Sequence, residues 1–271
     1  MASPNSKQNP STNNNEPMDF TGKVVIVTGG GKGVGKGISE RFLAQGAKVH
    51  ICGRSSLEVP LTVGDKSAVF HQVDVRDVTQ IEAMVNAVVD AEGRIDVLIN
   101  NAGGAPYAEA ATVSPRFSES IIKLNLLAPL NFAQAVNTVM QKQAEGGNIV
   151  NIASVSAVRP SPGTAAYGAA KAGLVNLGSS LAVEWAPKVR VNSIIAGLIQ
   201  TEQAHLHYGD EQGIAAVNAT VPLNRMAKPS EIGDACLYLA SPMASYVSGS
   251  TLTLHGGGEK PAFLEASTSG N

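Results

Sequence analysis

The sequence is poor in cysteine, in aromatic residues and in charge, and it has no long apolar run. Two cysteines, Cys52 and Cys236, stand far apart. That excludes a disulfide framework or a cysteine zinc site and fits a reducing, cytoplasmic setting with both thiols in the core. Aromatic residues make up 4% of the chain, too few to offer a stacking platform for bases. Charged residues make up 15% and the net charge is −2, so charge gives no case for a nucleic-acid or anionic-membrane partner. No stretch approaches the roughly 18 continuous apolar residues of a membrane span. Residues 1–17 are mostly Asn, Ser, Pro, Thr and Gln with no apolar segment. They read as a disordered tail and not as a secretory signal.

What is present is a chain of 271 residues that is 44% hydrophobic, enough for one α/β domain of ordinary size. We expect a domain over 18–260 and a C-terminal tail over 261–271 that is polar from 265 onward. Short β-branched runs fall at 24–28, 48–52, 68–73, 97–100, 148–153, 189–195 and 251–254. Several are apolar almost throughout, as in parallel strands buried on both faces. Helical patterns lie between them, at 78–91, 115–143, 164–186 and 230–240, and a first helix carries Ile38, Phe42 and Leu43 and ends at Gly46. This alternation predicts an α/β fold: a single-domain, Rossmann-like, doubly wound parallel sheet of about seven strands with helices on both faces. Pro60 and Gly64 break the helical pattern in 55–66, so that crossover reads as short and irregular. Residues 198–220 read as a helical excursion or lid.

The first strand runs into Thr28-Gly29-Gly30-Gly31-Lys32-Gly33-Val34-Gly35 and a helix opens at once. Glycines there permit positive φ and let a phosphate approach the backbone, and the helix N-terminus offers free N–H groups. The spacing is Gly29-x-x-x-Gly33-x-Gly35 and not the strict GxGxxG, so the turn alone is also compatible with a plain structural bend. After the second strand comes Gly53-Arg54, with none of the acidic residues that often hold the ribose 2′-hydroxyl of NAD. Arg54 and Lys32 instead offer cations for a 2′-phosphate. The expected cofactor is NADP(H) in preference to NAD(H).

With this turn, Asn100-Asn101-Ala102-Gly103, Ser154, and Tyr167-Gly168-Ala169-Ala170-Lys171 follow in order, Ser154 thirteen residues before Tyr167. The set resembles the short-chain dehydrogenase/reductase family over 20–258. The resemblance implies a nicotinamide-dependent oxidoreductase with Ser154, Tyr167, Lys171 and Asn125 as catalytic residues, Asn125 in Lys123-Leu124-Asn125-Leu126 matching the family's helix asparagine. It also implies cofactor contacts at Gly29, Gly31, Lys32, Gly33, Val34, Gly35, Arg54, Asp74, Val75, Asn101, Ala102, Gly103, Tyr167, Lys171, Gly197, Ile199 and Thr201. A homotetramer or homodimer is implied as well.

Chemistry apart from the resemblance agrees. Tyr167 and Lys171 are i and i+4, so they share a helix face. A free phenol near pKa 10 is a poor base, and a nearby ammonium together with the positive nicotinamide ring is expected to bring it toward the working range. Three residues depart from the family pattern. Gly31 stands where a hydroxyl residue is frequent, Ala196-Gly197 replaces Pro-Gly, and His255-Gly256-Gly257 replaces Asp-Gly-Gly. For Asn125 a plain helix-kinking role is an equal reading, and for Trp185 burial in the core competes with a subunit contact. His205 and His207 are i and i+2, on different faces, so no metal is expected. His50 and His71 fall in strands and read as structural.

The expected reaction is hydride transfer between NADP(H) and a ketone or secondary alcohol. A moderately apolar substrate is expected, 3-oxoacyl, steroid-like or xenobiotic, because the lid segment carries Leu206, Ile214, Ala215 and Val217. The competing reading is an NADP(H)-binding sensor or scaffold without turnover. A sugar-nucleotide epimerase or dehydratase is disfavoured by the glycine spacing and by the lack of a larger C-terminal substrate region.

Overall fold

The structure, a computed structural model, describes residues 18–267; the expectation for 1–17 lies outside them. Nine strands and nine helices occur within this span, in the order β1 (Val24–Thr28), α1 (Gly33–Ala44), β2 (Lys48–Gly53), β3 (Thr62–Val63), β4 (Lys66–Ser67), β5 (Val69–Gln72), α2 (Val78–Glu92), β6 (Val97–Asn100), α3 (Pro115–Ile122), α4 (Ala128–Met140), β7 (Gly147–Ser154), α5 (Ala165–Glu184), β8 (Val189–Ala196), α6 (His205–Tyr208), α7 (Glu211–Thr220), α8 (Pro229–Ala240), β9 (Thr251–Leu254) and α9 (Ala262–Ala266).

Seven strands form one sheet in the order β5-β2-β1-β6-β7-β8-β9, and every pair is parallel. The order reverses between β1 and β6. This is the topological switch point, and ligands of open α/β sheets bind outside the carboxyl ends of the strands there.

Alternation along each strand divides the core in two. Val25 and Val27 of β1, Ile51 of β2 and Ile99 of β6 face α1 and α8, meeting Ile38, Phe42, Ile232 and Leu237. Val24, Ile26 and Leu98 face the other way, onto Ile81 and Val88 of α2 and Phe132 and Val136 of α4. Both faces are covered, which is why these strands read as unbroken apolar runs. Trp185 packs, half-buried, against the second cluster, a core contact. Cys52 and Cys236 are both buried thiols.

Local signals explain the helix ends. Asp77 caps α2 by accepting from the Thr79 and Gln80 N–H groups, and Gly93 closes it in a left-handed conformation. The helix expected over 115–143 is interrupted. A π-helical turn, Lys123–Leu127, separates α3 from α4. Pro129 has no N–H to give the Asn125 carbonyl, and the Ala128 N–H bonds the Lys123 carbonyl instead, five residues back.

The irregular crossover at 55–66 carries no helix. It holds the antiparallel ribbon β3–β4, and Leu57 packs onto Gly31, where an added Cβ would lie 2.5 Å from the leucine methyl. The lid segment contains α6 and α7. Among the described residues no helix is long and apolar enough to cross a membrane.

Candidate active site

The glycine turn leaves β1 at its carboxyl end, beside the switch point. Gly29 and Gly33 have φ of +64° and +54°, conformations that side-chain residues rarely adopt. Gly35 is required by space: an added Cβ would stand 2.2 Å from the Gly29 carbonyl oxygen and 2.5 Å from the Asn101 amide. Below the turn, the Ser39 hydroxyl lies 3.0 Å from the Gly30 carbonyl and 2.9 Å from the Gly35 carbonyl.

Thr28 joins this turn to the Asn100–Gly103 stretch. Its hydroxyl accepts from the Asn101 and Ala102 N–H groups, each at 2.9 Å, and the Asn101 side-chain amide donates to the Thr28 carbonyl at 2.9 Å. Neither Thr28 nor Ser39 was singled out by sequence. A hydroxyl closing a buried strand at a glycine turn was the available signal for Thr28.

Helix α1 starts at Gly33 with Lys32 in the N-cap position, and no side chain of the cap residue accepts from it. The Gly33 N–H donates instead to the Glu202 carboxylate at 2.8 Å. Thr201, beside it in sequence, has its methyl 3.8 Å from where a Gly33 Cβ would lie. The segment after β8 thus reaches the turn. It is anchored by a bridge between Ile199 and Ala227. Ala196 is the last residue of β8 and pairs with both Ser154 and Leu254, so the absence of proline leaves it held in the sheet. Gly197 passes close to His255, whose Cα would lie 2.8 Å from an added Cβ.

Arg54 and Lys32 are exposed. Asp74 is gripped by Arg76 through bonds of 2.9 Å and 2.5 Å. These bonds hold its carboxyl down at about 2, against the upward push of burial, with Arg54 adding a smaller pull. Arg76, not foreseen from sequence, thereby offsets an acid that feels Arg54. Val75 beside it is buried.

The other half of the site lies at the carboxyl end of β7. Ser154 ends that strand, and its oxygen accepts from the Ser156 N–H at 3.2 Å. Tyr167, in the first turn of α5, has the Ser154 side chain beside its phenol, where it favours the charged form. One turn on, Lys171 is buried. Its ammonium donates to the Ile152 carbonyl at 2.7 Å and lies 5.7 Å from the centre of the Tyr167 ring. Gly103 lets the two halves meet: an added Cβ would stand 2.6 Å from the Asn125 side-chain oxygen and 3.2 Å from the Lys171 nitrogen.

Asn125 sits in the π turn and is fully buried. Its oxygen accepts from the Gly104 N–H at 2.8 Å, and its amide donates to the Gly104 and Ile121 carbonyls. It clamps the glycine stretch to the helix.

One expectation is corrected. The ammonium and the nicotinamide ring together were expected to lower the Tyr167 phenol; in the protein alone the ammonium does not do so. Burial instead raises it, and this outweighs the lowering by Ser154. Lys171 itself is pushed down to about 8 by burial. The physical reason is placement. The ammonium faces the ring and the Ile152 carbonyl in a dry setting, where a second charge is disfavoured.

Beside Tyr167 lies a cavity of about 130 Å³ lined by Pro106, Ala108, Phe117, Ile121 and Thr164 among others. Among the described residues no cluster of His, Cys, Asp or Glu suits a metal ion. His50 and His71 bond each other at 3.0 Å in the sheet.

A parallel sheet with this switch point, a glycine turn and a Ser–Tyr–Lys set at the strand ends define a dinucleotide-binding oxidoreductase. The family model described as enoyl-(acyl carrier protein) reductase matches residues 29–259. The chain is 32% identical to a 3alpha-hydroxysteroid dehydrogenase of Mediterraneibacter gnavus over 88% of this chain and 98% of that one. It is 35% identical to the 3-oxoacyl-(acyl-carrier-protein) reductase FabG of Vibrio cholerae over 89% and 98% respectively. The ligand-free aldohexose dehydrogenase of Thermoplasma acidophilum superposes with a TM-score of 0.81 at 29% identity, covering 93% of this chain and 97% of that one. The protein belongs to the short-chain dehydrogenase/reductase family, which implies a nicotinamide cofactor. The turn fits such a group: positive φ, no room for a Cβ at Gly35, and a helix end without an acceptor of its own.

Proposed function

We propose that this enzyme transfers a hydride between NADP(H) and a ketone or secondary alcohol of moderately apolar character. The observation that carries this reading is the Tyr167 phenol beside Ser154, with the buried Lys171 ammonium 5.7 Å from the centre of its ring. Bound nicotinamide supplies or accepts the hydride at the substrate carbon. Ser154 holds the substrate oxygen. Tyr167, kept protonated by burial, gives its proton to the developing alkoxide in the reductive direction. Lys171, with a pKa near 8, holds a proton within reach of neutral pH and resupplies it, and Asn125 keeps the Gly103–Gly104 backbone in place behind it.

Preference for NADP(H) is supported by Arg54 and Lys32, both exposed at the turn. It is supported further by Arg76, which engages the neighbouring carboxylate. An apolar substrate is supported by the cavity beside Tyr167 and by relatives named for steroid and 3-oxoacyl substrates.

The test is oxidation of NADPH and of NADH over a panel of 3-oxoacyl, ring-ketone and aryl-ketone substrates, repeated with Arg54→Asp. The reading predicts faster use of NADPH, and loss or inversion of that preference by about tenfold or more in the variant, since a charge-assisted phosphate contact is replaced by repulsion. An unchanged preference would overturn the NADP(H) assignment. Tight cofactor binding with no turnover on any carbonyl would favour the sensor or scaffold.

A further inference from the structure

We propose that Glu202 is a built-in competitor for the pyrophosphate of the cofactor, setting how tightly the dinucleotide is held and how fast it leaves. The inference rests on the cofactor reading above.

Helix α1 has twelve residues and no acid in its first turn. Its N-cap residue, Lys32, carries a side chain that only donates. The helix therefore presents N–H groups and a positive dipole end with no local acceptor. The Gly33 N–H bonds a carboxylate at 2.8 Å from a residue 169 positions away in sequence. That carboxylate is held on a braced strap. The Gln200 N–H donates to the Ala227 carbonyl and the Ala227 N–H to the Leu198 carbonyl, each at 2.9 Å. The brace places Glu202 over the turn, while the side chain itself is exposed and able to swing away.

A carboxylate makes the same demand on a helix end as a phosphate does. The two are rival claimants to the Gly33 N–H, and two anions at one helix end repel each other. Dinucleotide binding must then expel Glu202. Whatever the contact contributes to the protein alone is subtracted from cofactor affinity. A charged acceptor on a helix N-terminus corresponds to about three- to tenfold in binding. The strap also continues into α6 and α7, so expulsion of Glu202 couples cofactor arrival to the lid segment.

The test uses the full chain with Glu202→Gln and Glu202→Ala. The dissociation constant and release rate of NADPH are read by nicotinamide fluorescence, and thermal unfolding is followed without cofactor. The account predicts two shifts of opposite sign. The dissociation constant falls about three- to tenfold, with slower release. The unfolding temperature without cofactor falls by about 2 °C, because the cap is lost. A dissociation constant that rises means that Glu202 serves the bound cofactor directly, and an unchanged one means that it only caps the helix; either overturns the inference alone. Failure of the wild-type chain to bind NADPH or NADH overturns the cofactor reading as well.

Discussion

The Lys171 ammonium stands over the face of the Tyr167 ring, 5.7 Å from its centre, and donates to the Ile152 carbonyl at 2.7 Å. The two groups share one dry place, and burial acts on them in opposite directions. It raises the phenol and lowers the ammonium to about 8. Each is pushed toward its neutral form. The site is thus arranged so that Tyr167 begins as an acid while Lys171 lies within reach of losing a proton.

Lys171 is predicted to be held at the expense of stability. It is a base whose folded pKa lies below its unfolded value of 10.5. Below about pH 8 both states are protonated and the full penalty applies; the penalty fades as pH rises from about 8 to 10.5. The shift corresponds to about 3 kcal/mol at neutral pH, of which a lost hydrogen bond to Ile152 returns about 1 kcal/mol. Lys171→Met is therefore expected to be more stable than wild type by about 1–2 kcal/mol at pH 7, with the gap closing above pH 10. Urea unfolding at the two pH values measures this. A variant less stable by more than 2 kcal/mol at pH 7 would contradict it.

Two glycines, one excluded from bearing a side chain by space and one by its positive φ alone, are predicted to respond differently. Gly35→Ala drives a Cβ to within 2.2 Å of the Gly29 carbonyl oxygen. The turn must open, and cofactor affinity should fall at least a hundredfold. Gly64 has φ of +61° in the β3–β4 ribbon with nothing within 4 Å. Gly64→Ala should cost only about 1 kcal/mol of backbone strain and leave cofactor binding unchanged. Titration of NADPH against both variants distinguishes the turn from the ribbon. Equal effects would remove the argument from space.

The strand histidines predict an acid-sensitive fold. His50 Nδ1 lies 3.0 Å from His71 Nε2, a contact that one proton satisfies and two disrupt. Glu92 lies 3.5 Å from the other side of His50 and favours its charge, as Lys48 opposes it, yet burial keeps both histidines below their usual value. A base lowered on folding contributes stability that is fully present above its unfolded value of about 6.5 and is lost as pH falls through the folded value. The unfolding temperature should drop between pH 7 and 5, and His71→Gln should flatten that slope. An identical slope in the variant would exclude the pair as its source.

Much of this was legible in the sequence, for identifiable reasons. The strands announced themselves because both faces of the sheet are covered, so β-branched runs such as Val24–Thr28 have no polar alternation to hide them. The absence of a helix at 55–66 followed from Pro60 and Gly64, while the β3–β4 ribbon there was not read. Ser154, Tyr167 and Lys171 were found by spacing, and the structure brings them together. The break at Lys123–Leu127 was read only as one alternative for Asn125, and its cause, the missing N–H at Pro129, was not. Thr28 and Glu202 act through contacts distant in sequence, whereas Ser39 and Arg76 bond near neighbours in a pattern that nothing in the sequence marks. The direction of the Tyr167 shift was misread because i, i+4 spacing gives proximity but says nothing of burial.

The central claim is that Tyr167 moves the proton that accompanies hydride transfer. The most direct measurement is kcat/KM for ketone reduction with NADPH in wild type and Tyr167→Phe, with the NADPH dissociation constant taken in parallel. Loss of a positioned acid should lower kcat/KM by about 10²- to 10⁴-fold while cofactor affinity stays within about twofold. Full turnover in the phenylalanine variant would contradict the account.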